Sequence, residues 1–185
     1  MPLCGLGRFP DLAVKTSPRR ICGIVYKARV VTITIHRGEL GRTDVQALLA
    51  LHVSAMHAHS PPDTCHVLPG SALAHSLITF FTARDGGVLL GMGALKALED
   101  GEGEIKSMRT APQHLRHGIG QIILDAITEE ARRRGYSALR LETGSGSEFA
   151  AAIALYNRNG FNACGPFGGY PISPFTRFMV RLLQP

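Results

Sequence analysis

The sequence predicts a mixed α/β (α+β) fold in which helices flank a mostly antiparallel central sheet. Between residues 78 and 110, three extended segments follow one another with only short glycine-containing turns between them, a pattern typical of antiparallel strands. Residues 104–134 then predict a strand, a glycine turn and an amphipathic helix. Because another extended segment follows this helix, the crossover predicts one parallel pair in the sheet.

The chain before residue 78 predicts one strand and one long helix. Residues 31–35 alternate apolar and polar side chains, which is typical of a half-buried strand. Thr43 is the expected N-cap of a helix whose apolar residues recur at helical spacing as far as about Met56. A short second helix is expected at residues 71–75.

The middle of the chain predicts three consecutive strands, at residues 78–84, 88–98 and 104–110. The Asp-Gly-Gly sequence that begins at Asp85 predicts a hairpin turn between the first two. Gly91 and Gly93 lie inside the second strand, where glycine marks a bulge or the close approach of another segment.

The helix after Gly118 and Gly120 has a clear amphipathic pattern, with one stripe that holds Ile119, Ile122, Ile123, Ala126, Ile127 and Ala131. A helix start carries unpaired N–H groups, and glycines let a ligand approach them, so the turn predicts an anion site. A plain connecting turn fits the same spacing. A P-loop is excluded because no Gly-Lys-Ser/Thr precedes the helix, and a dinucleotide fingerprint is excluded because Ile123 stands where a third glycine is needed.

The last third of the chain predicts a strand at residues 139–143 and a helix at residues 148–159 that Gly160 closes. The tail at residues 161–183 predicts two further strands around the glycine- and proline-containing segment 165–174. Residues 1–28 contain glycine, proline and basic residues without a long apolar run. We expect them to form a poorly ordered N-terminal extension, and residues 29–185 to form a single domain.

Composition narrows the possible partners. The formal net charge of +6 suggests an anionic partner, but Arg132–Arg134 lacks the interleaved aromatic residues of a nucleic-acid site. No apolar run reaches about 18 residues, so no membrane span is expected. The four cysteines form no Cys-x-x-Cys pair, which predicts reduced thiols in a cytoplasmic protein. The spacing of His57, His59, Cys65 and His66 matches no zinc pattern, so no metal is predicted.

Two motifs resemble those of a known superfamily. Leu-Arg-His-Gly-Ile-Gly, from Leu115 to Gly120, resembles the pyrophosphate loop of the GNAT superfamily of acyl-CoA N-acetyltransferases. Ala-Leu-Tyr-Asn-Arg-Asn-Gly-Phe, from Ala154 to Phe161, resembles the next signature of that superfamily. The resemblance covers about residues 31–183. Within the superfamily, the chain more narrowly resembles a bacterial subgroup of acetyltransferases. One departure is that Leu115 stands where the superfamily usually has Arg or Gln.

The resemblance implies a GNAT-like sheet whose parallel strand pair splays apart at the acyl-CoA site. Acetyl-CoA would be the co-substrate, held by backbone amides of the loop and of the preceding strand. It implies cofactor contacts from Met108, Arg109, Thr110, Leu115, Arg116, His117, Gly118, Ile119, Gly120 and Tyr156. The expected reaction is transfer of the acetyl group to a primary amine of a small molecule or peptide, by direct attack in a ternary complex.

The resemblance also implies that Tyr156 is the acid that protonates the leaving thiolate. The alternative is that Tyr156 is a core aromatic whose hydroxyl is hydrogen-bonded to the backbone. Glu142 and Glu104 both remain candidates for the general base. The Arg109 fork matches a carboxylate on the acceptor, although an arginine on a strand can equally be a surface residue. A non-catalytic acyl-CoA-binding regulatory module is the alternative function. A homodimer is the default oligomer for a small enzyme.

Overall fold

The computed structural model describes residues 19–20, 24–26, 29–62 and 64–184. Its strands are β1 Arg19–Arg20, β2 Ile24–Tyr26, β3 Arg29–Val31, β4 Ile33–Arg37, β5 Ile78–Asp85, β6 Val88–Ala97, β7 Glu102–Thr110, β8 Ala138–Gly144, β9 Asn162–Ala163 and β10 Thr176–Leu182. Its α-helices are α1 Thr43–His59, α2 Ile119–Arg133 and α3 Ala150–Arg158. Single 3₁₀ turns lie at Ala72–Ala74, Glu99–Gly101, Pro112–His114 and Ser147–Phe149.

The predicted mixed sheet is confirmed. Eight strands form one sheet in the order β1-β4-β5-β6-β7-β8-β10-β9, and β2 and β3 form a separate hairpin. Strands β7 and β8 run parallel, and the other recorded pairs of the large sheet are antiparallel. The helix α2 makes the crossover between the two parallel strands, as the sequence predicts.

Each face of the sheet buries its own hydrophobic cluster, because neighbouring side chains of a strand point to opposite faces. Phe81 lies with the α2 residues Ile123 and Ile127 in one cluster. Phe80, the preceding residue of β5, lies with Val45 of α1 in the other. The sheet therefore separates α1 from α2.

The two glycines of β6 let α2 approach the sheet closely. A Cβ atom on Gly93 would lie 2.6 Å from the Met108 sulfur and 2.8 Å from Ile123 Cγ2, and one on Gly91 would lie 2.8 Å from the Arg109 carbonyl oxygen. The register between β6 and β7 also shifts around Gly93. Both predicted roles, close approach and bulge, are thus found at this position.

Ion pairs fix both helices to the sheet. Arg84 of β5 is buried and donates to Asp44 at the start of α1, with 2.7 Å between Nη1 and Oδ2. Glu130 of α2 accepts from Arg37 of β4 and from Arg134. Burial would raise the pKa of Glu130, but hydrogen bonds from neighbouring arginines outweigh it and lower the pKa to about 2.

Three local predictions were wrong in detail. Thr43 is the first residue of α1, and Arg42 takes the N-cap position without a side-chain cap, because the Asp44 carboxylate accepts the Val45 N–H at 2.9 Å instead. The helix continues beyond Met56 to His59, since the prolines that stop it lie further on. The expected second helix is one 3₁₀ turn at Ala72–Ala74.

The expected N-terminal extension at residues 1–28 lies mostly outside the described residues. The parts that are described, β1 and β2, pair with β4 and β3 respectively. The single domain at residues 29–185 stays a prediction. In the described part of the chain, no helix has both the length and the apolar character needed to cross a membrane.

Candidate active site

The parallel strands β7 and β8 splay apart at their carboxyl ends. They pair only from Glu102 opposite Ala138 to Glu104 opposite Arg140, although both strands continue beyond this point. A cavity of about 180 Å³ lies at the opening, lined by β7, β8, α1, α3 and the segment at residues 60–68. A site at the carboxyl ends of diverging strands is a common place for a ligand in α/β proteins.

A bulge in β7 shapes one wall of this cavity. Lys106 lies opposite Ala94 and Arg109 opposite Met92, so two residues of β7 stand against one of β6. One of these two, Ser107, has a φ of 51°, which is left-handed backbone that a serine adopts only when its surroundings hold it there. The bulge places both Lys106 and Arg109 in the cavity lining, because the extra residue resets the alternation of side chains.

The start of α2 has the geometry of an anion site. Gly118 is the N-cap residue with a φ of 76° and provides no side-chain cap. Arg116 is also left-handed, with a φ of 63°, so the loop turns tightly before the helix. The first amides of a helix have no partner inside it, and here a ligand or solvent must satisfy them. Leu115, in the loop before this helix, is 55% exposed.

Tyr156 of α3 lines the cavity and is 6% exposed. Its ring packs edge-on against Phe161, with 5.5 Å between ring centroids. Burial raises the pKa of its phenol above the ordinary value, so the hydroxyl is protonated at neutral pH and can donate a proton. Among the described residues, the hydroxyl has no recorded hydrogen bond to the backbone, which was the alternative interpretation.

Glu142 of β8 is a half-buried carboxyl group in the cavity lining. Burial raises its pKa, the nearby charge of Lys106 lowers it, and that of Glu104 raises it. The net shift is upward, toward the pH at which a general base works best. A carboxylate that faces a cavity and resists ionisation is a typical proton acceptor.

Glu104 lies in a different environment, although it is only two residues beyond the start of β7. Its side chain is 0% exposed, and its Oε1 accepts a hydrogen bond of 2.6 Å from the Tyr170 hydroxyl. The ammonium of Lys106 lies 3.3 Å from the same oxygen, and that of Lys96 lies 3.6 Å from Oε2. Glu104 is therefore the centre of a buried polar network and is not part of the cavity lining.

The structure brings together four of the predicted site residues, Met108, Arg109, Glu142 and Tyr156, around one cavity. The other predicted site residues lie outside the described lining: Glu104, Thr110, Leu115, Arg116, His117, Gly118, Ile119 and Gly120. Gly120 packs beside α3 and the end of β7, since a Cβ atom there would lie 3.4 Å from Leu155 Cδ2 of α3 and 3.8 Å from Thr110 Oγ1 of β7.

Sequence reasoning assigned no site role to three polar residues of the lining: His52, Lys106 and Ser107. His52 lies on the apolar stripe of α1, where a buried histidine is usually structural, and nothing in the pattern marks Ser107 as a bulge. No group of three or more His, Cys, Asp or Glu side chains within the described ranges is placed to hold a metal ion.

Comparisons with known proteins agree on one family. A family model described as Acetyltransferase (GNAT) family matches residues 46–161. The chain is 43% identical over 150 residues to the uncharacterized N-acetyltransferase YedL of Escherichia coli, which covers 81% of this chain and 94% of YedL. It is 41% identical over 124 residues to an IAA acetyltransferase of Azospirillum brasilense, which covers 66% of this chain and 80% of that protein.

Solved structures give the same result. A protein of Klebsiella pneumoniae, assigned as an acyl-CoA N-acyltransferase, superimposes with a TM-score of 0.67 at 31% identity, over 82% of this chain and 98% of that one. A GNAT family acetyltransferase of Elizabethkingia anophelis, solved with acetyl-CoA bound, superimposes with a TM-score of 0.61 over 82% of this chain and 98% of that one. Its identity is 18%, so this second likeness concerns the fold.

Proposed function

This chain belongs to the acetyltransferase (GNAT) family and is an acyltransferase, and on that premise we propose that it transfers the acetyl group of acetyl-CoA to a primary amine of a small molecule or peptide. We further propose direct attack in a ternary complex. The observation that carries the proposal is that Glu142 of β8 and Tyr156 of α3 line one cavity. A base for the amine and an acid for the thiolate are thus available together.

The residues of the site fit acetyl-CoA as the acyl donor. The uncapped start of α2 at Gly118 offers backbone amides to a pyrophosphate. The splay beyond Glu104 leaves strand edges open to an extended pantetheine arm. Residues Ser107 and Met108 stand opposite Gly93 alone at the bulge, so their backbone groups are candidates to polarise the thioester carbonyl.

Each protonatable group has one task in this proposal. The donor supplies a thioester, which is reactive enough for an amine to attack without a covalent enzyme intermediate. Glu142 accepts a proton from the acceptor ammonium, and the neutral amine forms the new N–C bond as the C–S bond breaks. Tyr156 donates its proton to the departing sulfur. The nitrogen loses two protons in all: one restores the Tyr156 phenol, and the one taken by Glu142 leaves to solvent. Each turnover therefore releases one proton.

Glu142 is preferred to Glu104 as the base because of their surroundings. Glu104 is held by Tyr170 and lies outside the cavity lining. Glu142 lines the cavity with a raised pKa. Loss of a general base typically costs about 10²–10⁴-fold in rate, so Glu142→Gln is expected to lower kcat by that amount.

The test is release of free thiol from acetyl-CoA in the presence of a panel of primary amines. Thermal unfolding with acetyl-CoA, and with NAD and ATP as controls, measures binding separately. A ligand at about 100 times its Kd adds roughly 2.7 kcal/mol to the free energy of unfolding. Tyr156→Phe and Glu142→Gln are expected to keep this stabilisation and to lose turnover. Turnover by Glu142→Gln at the wild-type rate would contradict the assigned base.

The alternative is a regulatory module of the same fold that binds acyl-CoA without turnover. It is motivated by the exposed Leu115 at the position where relatives in the superfamily carry Arg or Gln. The two functions differ in one measurement, since the module would be stabilised by acetyl-CoA but would release no thiol with any amine. The cytoplasmic location, the homodimer and the absence of a nucleic-acid partner stay predictions from the sequence.

A further inference from the structure

The guanidinium of Arg109 is a charged group in the cavity lining that has no counter-ion among the described residues. Arg109 projects from β7 just beyond the bulge and is half-buried. Burial lowers the pKa of this side chain, and no hydrogen bond or opposite charge from the described part of the chain offsets that effect. In the part of the chain that the structure describes, no carboxylate forms an ion pair with it. A desolvated charge without a partner is costly, so such an arrangement favours an anionic ligand.

The other cation of the lining is already paired. The Lys106 ammonium lies 2.7 Å from the Tyr170 hydroxyl oxygen and 3.3 Å from Glu104 Oε1. It also lies over the Tyr170 ring, 5.0 Å from its centroid. The protein itself thus already pairs the Lys106 ammonium, so Lys106 is expected to bind an incoming anion less strongly than Arg109. Of these two cations, Arg109 is therefore the candidate for the anion contact.

Three further side-chain polar atoms of the lining are buried without a hydrogen-bond partner among the described residues: His52 Nδ1, Ser107 Oγ and His66 Nε2. His52 is 6% exposed and its Nδ1 has no hydrogen-bond partner among the described residues. Ser107 is 9% exposed, and its hydroxyl is likewise unpartnered within that part of the structure. Buried polar atoms are normally hydrogen-bonded. His52 also lies close enough to Arg109 for the two charges to interact.

We propose that Arg109, with His52 and Ser107, forms a carboxylate subsite, and that the acceptor is therefore a primary amine that also carries a carboxylate, such as an amino acid. This inference rests on the proposed acetyl transfer and names its substrate class. The planar fork of Arg109 matches both oxygens of a carboxylate. The Ser107 hydroxyl, and His52 in the tautomer that carries its proton on Nδ1, provide two more donors.

The same arrangement assigns opposite ends of the acceptor to opposite walls of the cavity. Arg109 on β7 holds the carboxylate, and Glu142 on β8 faces the amine. Because the two strands separate beyond Glu104, the acceptor lies across the splay. An amine without a carboxylate leaves the Arg109 charge and the two buried donors unsatisfied, and a site built to bond a polar group strongly rejects a ligand that lacks it.

The experiment compares each standard amino acid with its own carboxamide as acceptors in the thiol-release assay. We expect kcat/KM to favour the acid by at least about tenfold for the best acceptor. Arg109→Met is expected to lower kcat/KM for that acid by about 10–100-fold and to change the carboxamide by less than about threefold. Arg109→Lys keeps the positive charge but not the planar fork, so its kcat/KM for the acid is expected to lie between those of wild type and Arg109→Met.

The control is Arg158→Met, which removes an exposed arginine at the end of α3 and is expected to leave the acid-to-amide ratio unchanged. Equal use of acids and carboxamides would overturn the proposal, as would an Arg109→Met variant that loses both equally. Stabilisation by acetyl-CoA without acetylation of any amino acid would overturn the substrate class but not the acetyltransferase. If acetyl-CoA binds and nothing turns over, calorimetry of amino acid against carboxamide in the presence of CoA decides the subsite by itself.

Discussion

Tyr170→Phe tests the buried network that surrounds Glu104. The Tyr170 hydroxyl donates to Glu104 Oε1 at 2.6 Å and accepts from Lys106 Nζ at 2.7 Å, and Glu104 Oε2 has no hydrogen bond among the described residues. A hydrogen bond to a charged group contributes about 1.5–3 kcal/mol. Because Lys106 still lies beside the carboxylate, we expect a total loss of about 2–3 kcal/mol in the free energy of unfolding.

For a domain of this size, each kcal/mol corresponds to about 2–4 °C in Tm, so Tyr170→Phe should lower Tm by about 4–12 °C. Urea unfolding of wild type, Tyr170→Phe, Glu104→Gln and the double variant gives the coupling energy directly. We expect a coupling of about 0.5–3 kcal/mol between the two sites. A Tyr170→Phe variant whose free energy of unfolding lies within about 0.5 kcal/mol of the wild-type value would refute the reasoning. Strictly additive effects of Tyr170→Phe and Glu104→Gln in the double variant would also refute it.

Two further predictions concern α1 and β6. Burial lowers the pKa of His52 to about 4, whereas the pKa of a histidine in the unfolded chain is about 6.5. The contribution of neutral His52 to the free energy of unfolding is therefore complete above about pH 6.5. It is lost as the pH falls toward 4, and the total loss is about 3 kcal/mol. Urea unfolding at several pH values should show this loss in wild type and not in His52→Gln, and equal slopes would contradict it. Gly93→Ala forces a Cβ against Met108 and Ile123 and should cost about 1–3 kcal/mol. Gly165→Ala, which meets nothing within 4 Å, is the control, and an equal cost for both variants would contradict the packing argument.

Local patterns were sufficient for most elements of the fold. The apolar stripe of α2 reflects burial on one side of the helix, so its period predicts a helix directly, and the Asp-Gly-Gly turn at the end of β5 predicts the hairpin that joins β5 to β6. The ends of elements were harder to predict, as α1 shows: capping depends on which of several adjacent polar side chains reaches a backbone amide. At its start Asp44 does so, and Thr43 does not.

The candidate site was predicted in part for a similar reason. Gly118 marks a left-handed turn because almost any other residue is strained there, and the motif around Tyr156 spans the end of α3 and the short turn after it. Lys106 and Tyr170 are 64 residues apart and meet at 2.7 Å, and no local pattern records such a contact. A feature held within a short stretch of chain therefore leaves a pattern in the sequence, whereas a contact between distant residues does not.

The sequence by itself determined the order of the main strands and helices from β4 onward, the glycine turn before α2 and the family. These features depend on side-chain period and backbone freedom within a few residues. Only the tertiary structure decided between Glu104 and Glu142, which are both glutamates on adjacent parallel strands. The pairing of β7 with β8 ends at Glu104, and the bulge at Ser107 resets which side chains of β7 face the cavity. Contacts distant in sequence thus buried one carboxyl group in a network and left the other facing the cavity.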